Sequence, residues 1–163
     1  MTAFTNSEFS RPRWRTILLA TLAFWLSGSL ILDAVIMPSM YAAGMMTQPG
    51  FASAGYSIFW VFNHLEVLCA ALALTGVLVL RNTISSTITR WAIPMALGLL
   101  IIALIYTYAL TPEMSALGMQ LNWFDTSEVP TVMNQMHGGY WLLEVVKFVV
   151  GSALLSASYQ AQS

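Results

Sequence analysis

Four long apolar stretches separated by short polar connections dominate this chain: Ile17 to Tyr41, Tyr56 to Leu80, Trp91 to Leu110 and His137 to Tyr159. Each is close to the ~20 residues that a helix needs to cross a hydrocarbon core. The pattern predicts an all-α fold, a four-helix transmembrane bundle. Residues 1–15 read as a basic tail and residues 16–160 as one four-span domain, with spans at about 17–41, 56–80, 91–110 and 137–159.

Proline and glycine punctuate the spans. Pro38 falls in the last turns of the first and is expected to bend or end it. Pro49-Gly50 marks a turn before the second. Pro94 sits where the third span opens, in a first turn that has no partner for the missing N–H anyway. Thr111-Pro112-Glu113 reads as a fresh helix start, with a capping hydroxyl, proline at the first position and an acidic first turn. A short surface helix over Thr111 to Leu121 would then form a small extracytoplasmic cap. Asn122 to Glu128 reads as a loop, and Pro130 opens a last helix long enough to project beyond the bilayer.

Composition agrees: 58% of the 163 residues are hydrophobic and only 8% are charged. A soluble domain carries roughly a quarter charged residues. The net charge of -1 gives no basic surface for nucleic acid, and the lone Cys69 rules out an intrachain disulfide. The basic residues are one-sided. Arg11, Arg13 and Arg15 precede the first span and Arg81 and Arg90 flank the second connection, whereas the other connections carry only Glu113, Asp125 and Glu128. The positive-inside rule therefore predicts that both termini are cytoplasmic. Trp14, Trp91, Trp123, Tyr56 and Tyr159 fall where interface anchors belong.

Several segments resemble the transmembrane-protein-205-like family of four-span membrane proteins. They are WLSGSLILDAVIMPSMY (Trp25 to Tyr41), AGYSIFWVFNHLE (Ala54 to Glu66), LTPEMSALG (Leu110 to Gly118) and MHGG (Met136 to Gly139). The resemblance implies a four-span fold and a membrane location, and it brings no established reaction. Glu144 and Lys147 match no position of its pattern. The Thr107 to Leu117 region is also similar, less closely, to an anthrone-oxygenase-like four-span family.

The candidate chemistry lies in polar groups where lipid should be. Asp33, His64, Glu66, Glu144 and Lys147 all fall about 10–15 Å inside the span ends at ~1.5 Å per residue. Charge at that depth needs a buried reason. His137, Glu144 and Lys147 share one stripe of the last span, and Glu144 and Lys147 can pair at i, i+3. His64 and Glu66 lie ~200° apart, so one of them at most faces the centre. Asn63 and Glu66 share the stripe of Cys69 and Ala70, which is the face expected inside. The layer reads either as a clamp that fixes helix packing or as a path for protons, ions or a metal.

A methionine collar is the second candidate. Met37, Met40, Met45 and Met46 close the first span, Met114 and Met119 follow the third, and Met133 and Met136 precede His137. Thioethers beside an imidazole suit a soft ion such as Cu(I), so Met37, Met40, Met133, Met136 and His137 form a candidate metal site. Methionine equally fills gaps in ordinary helix interfaces. Haem fits poorly, because His64 and His137 differ by roughly 12 Å in depth. No nucleophile stands beside an oriented base, and an enzyme is not expected. Two functions remain open. One is a membrane accessory protein whose partners are the lipid bilayer and other membrane proteins or further copies of itself. The other is a protein that handles a soft metal, an ion or a small solute.

Overall fold

The computed structural model describes residues 11–45, 48, 50–81, 86–124 and 131–160. Helix α1 (Arg11–Ile31) runs through a π-helical turn, π1 (Leu32–Ile36), into α2 (Met37–Ala42), and α3 (Phe51–Leu80) returns. Helix α4 (Ser86–Ile105) likewise passes through π2 (Tyr106–Leu110) into α5 (Thr111–Phe124), and α6 (Thr131–Gln160) completes the set. Four helices, Arg13–Ala42, Phe51–Leu80, Arg90–Met119 and Thr131–Gln160, are long and apolar enough to cross a membrane. The fold is an all-α four-helix bundle of a multi-pass membrane protein.

Helix α1 packs on α3 and α6, and α4 packs on the same two, so the four rods close into a square. The Arg15 guanidinium donates to the carbonyls of Ser158 at 2.9 Å and Tyr159 at 3.2 Å. It thereby satisfies carbonyls that the end of α6 leaves without intrahelical partners. The start of α1 and the end of α6 therefore meet at one end of the bundle, called here the terminal end. The opposite, distal end carries both π turns.

Those turns correct two expectations. Thr111 does not open a new helix, because its backbone is helical (φ -64, ψ -44) and its N–H bonds to the Tyr106 carbonyl, five residues back. Pro112 explains the register. A proline ring collides with the carbonyl four residues earlier and offers that carbonyl no N–H. One widened turn just before the ring relieves the conflict without ending the helix. The third span therefore continues to Met119, and the separate short helix expected after Leu110 does not form. Pro38 repeats the device: Met37 N–H bonds to the Leu32 carbonyl and the helix carries on to Ala42. Pro94 is interior to α4 because that helix begins at Ser86. Gly50 takes φ +87, a left-handed conformation suited to glycine, immediately before α3. Pro49 and Met46, residues 1–10 of the tail and residues 125–130 of the last connection lie outside the described residues.

The terminal half is packed with apolar side chains. Leu18 and Leu22 meet Ala73, Val77 and Leu80 of α3, Ala92, Ala96 and Leu99 of α4, and Leu154 of α6. Small residues set the spacing: a Cβ on Gly76 would lie 3.2 Å from Leu18 Cβ, and one on Gly151 would lie 2.8 Å from Leu26 Cδ2. Large apolar side chains, among them Phe24, Leu30, Trp60, Leu68, Ile101, Leu142 and Val149, point outward. In water they would form an aggregating surface, whereas against lipid they are the natural exterior.

Candidate functional site

Helical spacing brings the distal polar residues together. On α6 the inward stripe runs Met133, Tyr140, Glu144, Lys147, Gly151, Leu154, at steps of three, four or seven. On α3 it runs Asn63, Glu66, Ala70, Ala73, and on α1 it runs Leu18, Leu22, Trp25, Ser29 and into Asp33 of π1. In each π turn two adjacent residues are buried, Leu32 with Asp33 and Tyr106 with Thr107.

Lys147 is the hub. Its ammonium is fully buried and donates to Glu66 Oε1 at 2.5 Å and to Glu144 Oε1 at 2.6 Å. It also lies 5.3 Å from the centre of the Tyr106 ring, within cation–π range. Glu66 Oε1 accepts two further bonds, from Trp25 Nε1 at 2.9 Å and Ser29 Oγ at 3.1 Å. Three helices are thus tied through one carboxylate oxygen. One turn nearer the distal end, Asn63 Nδ2 donates to Thr111 Oγ1 at 2.6 Å, and Thr107 Oγ1 donates to the Ala103 carbonyl at 2.8 Å.

The other side of the layer is less complete. Tyr140 donates its hydroxyl to Asp33 Oδ1 at 2.7 Å. Asp33 Oδ2 and Glu144 Oε2 are buried and have no hydrogen-bond donor among the described residues. Both oxygens are acceptors, so each is open to a donor brought by a ligand. Three carboxyls here face one ammonium.

Above Asp33 lies a half-open cavity of about 150 Å³. Asp33, Thr111, Ser115, His137 and Tyr140 give its polar lining, and Met37, Phe59, Met114 and Trp141 its apolar one. His137 Nδ1 donates to the Met133 carbonyl at 2.9 Å; since a carbonyl only accepts, the neutral ring leaves Nε2 with a free lone pair. No Lys or Arg lines the cavity among the described residues.

Asp33, Asn63, Glu66, Glu144 and Lys147 are thus brought into one region, and His64 is not. His64 is exposed on the outer face of α3, donating to the Trp60 carbonyl at 2.7 Å with its ring 4.2 Å from that of Trp60. Two residues along a helix turn the side chain through ~200°, and Glu66 takes the inward direction. The collar divides as well. Met37 and His137 line the cavity, while Met40 and Met136 do not. Met133 is buried and reaches toward Gly118 of α5, its Cε 3.9 Å from where a Cβ there would sit. Met114 takes the place beside Met37 instead, because the unbroken α5 carries it over the cavity. No group of three or more His, Cys, Asp or Glu side chains placed to hold a metal occurs among the described residues.

Sequence reasoning missed Trp25, Ser29, Tyr106 and Tyr140 as partners of the charged groups. The signal was present for three of them: Trp25 and Ser29 lead into Asp33 at steps of four, and Tyr140 lies seven before Lys147. Tyr106 stands four residues before the expected end of the third span, where an aromatic ring is ordinary. No protein-family model, no curated protein and no solved structure matches the chain.

Proposed function

We propose that this chain is a small-solute-handling membrane protein that admits a molecule to the distal cavity and holds it against Asp33. One observation carries the reading. A carboxyl that is only 5% exposed lines a half-open cavity, and one of its oxygens has no hydrogen-bond donor among the described residues. A group buried at the cost of its hydration without a full set of partners suits a ligand that supplies the missing one. An apolar cavity of ~150 Å³ accepts a benzene-sized body. A bare Cu(I) ion would fill little of it, and of the five collar residues only Met37 and His137 are at hand, which favours a solute over a metal.

The arginine bias supports placing both termini in the cytoplasm, with the cavity on the outer side. The resemblance to the transmembrane-protein-205-like family fits a four-span protein of this kind and adds no substrate. An accessory role is favoured by a different observation, since the Glu66–Lys147–Glu144 clamp completes itself without any solute.

Thiol labelling tests the reading. A Ser115→Cys substitution places a thiol in the cavity wall, whereas the native Cys69 is buried in the core. A small impermeant reagent added outside intact cells should modify Ser115→Cys and spare Cys69, with a cationic reagent outrunning an anionic one of the same size. Equal resistance of the two thiols would contradict a solute-accessible cavity.

A further inference from the structure

We propose that the solute is a small organic ammonium ion that carries N–H donors, bound with its positive head at Asp33. The inference rests on the solute-handling reading and names the substrate class of that cavity.

Charge selects the class. Among the described residues no basic side chain lines the cavity, and the Lys147 ammonium is already held by Glu66 and Glu144. An anion would therefore meet an uncompensated carboxylate and no donor of positive charge. A neutral apolar molecule would leave Asp33 Oδ2 buried without a donor. A bare metal ion would find no group of three or more His, Cys, Asp or Glu side chains to hold it among the described residues. A cation with an apolar body answers both halves of the lining.

The apolar half fits that body. Phe59, Tyr140 and Trp141 line the same cavity, and the rings of Phe59 and Tyr140 meet edge to face, 6.1 Å apart and at 82°. Aromatic faces attract alkylammonium groups through their quadrupoles, most strongly out of water. The Met37 and Met114 thioethers add polarizable walls. His137 offers a lone pair at Nε2 to any N–H the head carries.

Calorimetry on the purified full-length protein in mild detergent tests this with butylammonium and its uncharged counterpart, butan-1-ol. Butylammonium should bind at least about tenfold more tightly than the alcohol. Asp33→Asn should erase the preference and Asp33→Glu should restore part of it. If Asp33→Asn does not fold, the ammonium–alcohol comparison on the natural protein still decides. Equal binding of the two compounds overturns the ammonium assignment while leaving solute handling intact. Binding of neither also overturns it, and a Ser115→Cys thiol as unreactive as Cys69 would then remove the underlying reading too.

Discussion

The two halves of the bundle are built from the same four helices by opposite means. In the terminal half, Leu18, Leu22, Val77, Leu99 and Leu154 interlock over alanines and glycines, and the helices run as regular α-helix. In the distal half a buried lysine, three carboxyls and a cavity occupy the axis, and two of the four rods are widened by π turns. Lipid explains why the first design is enough to hold the bundle. Apolar side chains gain little by leaving hydrocarbon for a protein core, so close packing supplies the cohesion, and small residues make it possible. The distal half gives up some of that packing and replaces it with ionic bonds, which are strong only while complete. The contrast teaches that close packing alone can make four helices associate, and the incompleteness of the distal arrangement at Asp33 is what the proposed solute binding rests on.

Removing the hub should have the largest effect. Lys147→Met strands two buried carboxylates and should destabilise the protein by about 3–5 kcal/mol, measured by unfolding in mixed micelles. Adding Glu66→Gln and Glu144→Gln should recover much of the loss. Simple addition of the separate effects would show that these groups do not act together. In the terminal half, Leu22→Ala leaves a void with a smaller penalty for lost burial than in a soluble core, so a cost of about 2 kcal/mol is expected. If Leu22→Ala proved as damaging as Lys147→Met, the contrast between the halves would blur.

Smaller changes sharpen it. Asn63→Ala removes the bond to Thr111 that pins α5 to α3, and a loss of about 1 kcal/mol is expected. Because Thr111 lines the cavity, this variant should also change the labelling rate of Ser115→Cys. The smallest effects separate two glycines. A Cβ on Gly98 meets nothing within 4 Å, so Gly98→Ala should stabilise by about 0.5 kcal/mol. Gly76→Ala must push on Leu18 Cβ at 3.2 Å, which cannot swing away without backbone movement, and should lose stability instead.

Much of this architecture was legible in the sequence because lipid imposes simple rules. Apolar runs marked the four spans, and the Asn63–Glu66–Ala70 stripe correctly pointed inward, leaving His64 outside. The Glu144–Lys147 pairing followed from i, i+3 spacing. What sequence did not reveal was that Lys147 serves two carboxylates, since the reach of Glu66 depends on how α3 and α6 are rotated against each other. The prolines misled for a physical reason. Thr111-Pro112-Glu113 and the segment before Pro38 carry the signals of helix ends, but a π turn lets a helix absorb a proline, and residue order alone does not distinguish the outcomes. That one difference moved Met114 and Thr111 onto the cavity and removed the expected cap. The collar was read from one-sidedness, a property of depth, whereas lining a cavity also requires the right angular position.

The central claim is that Asp33 is the open carboxyl of the layer and Glu66 the closed one. A small carbodiimide, which couples to accessible protonated carboxyls, tests it directly when the modified protein is mapped by peptide mass spectrometry. Asp33 should be modified, Glu66 should be spared beneath Trp25, Ser29 and Lys147, and butylammonium should protect Asp33. Modification of Glu66 at the rate of Asp33, or no modification of Asp33 while surface carboxyls react, would contradict the account.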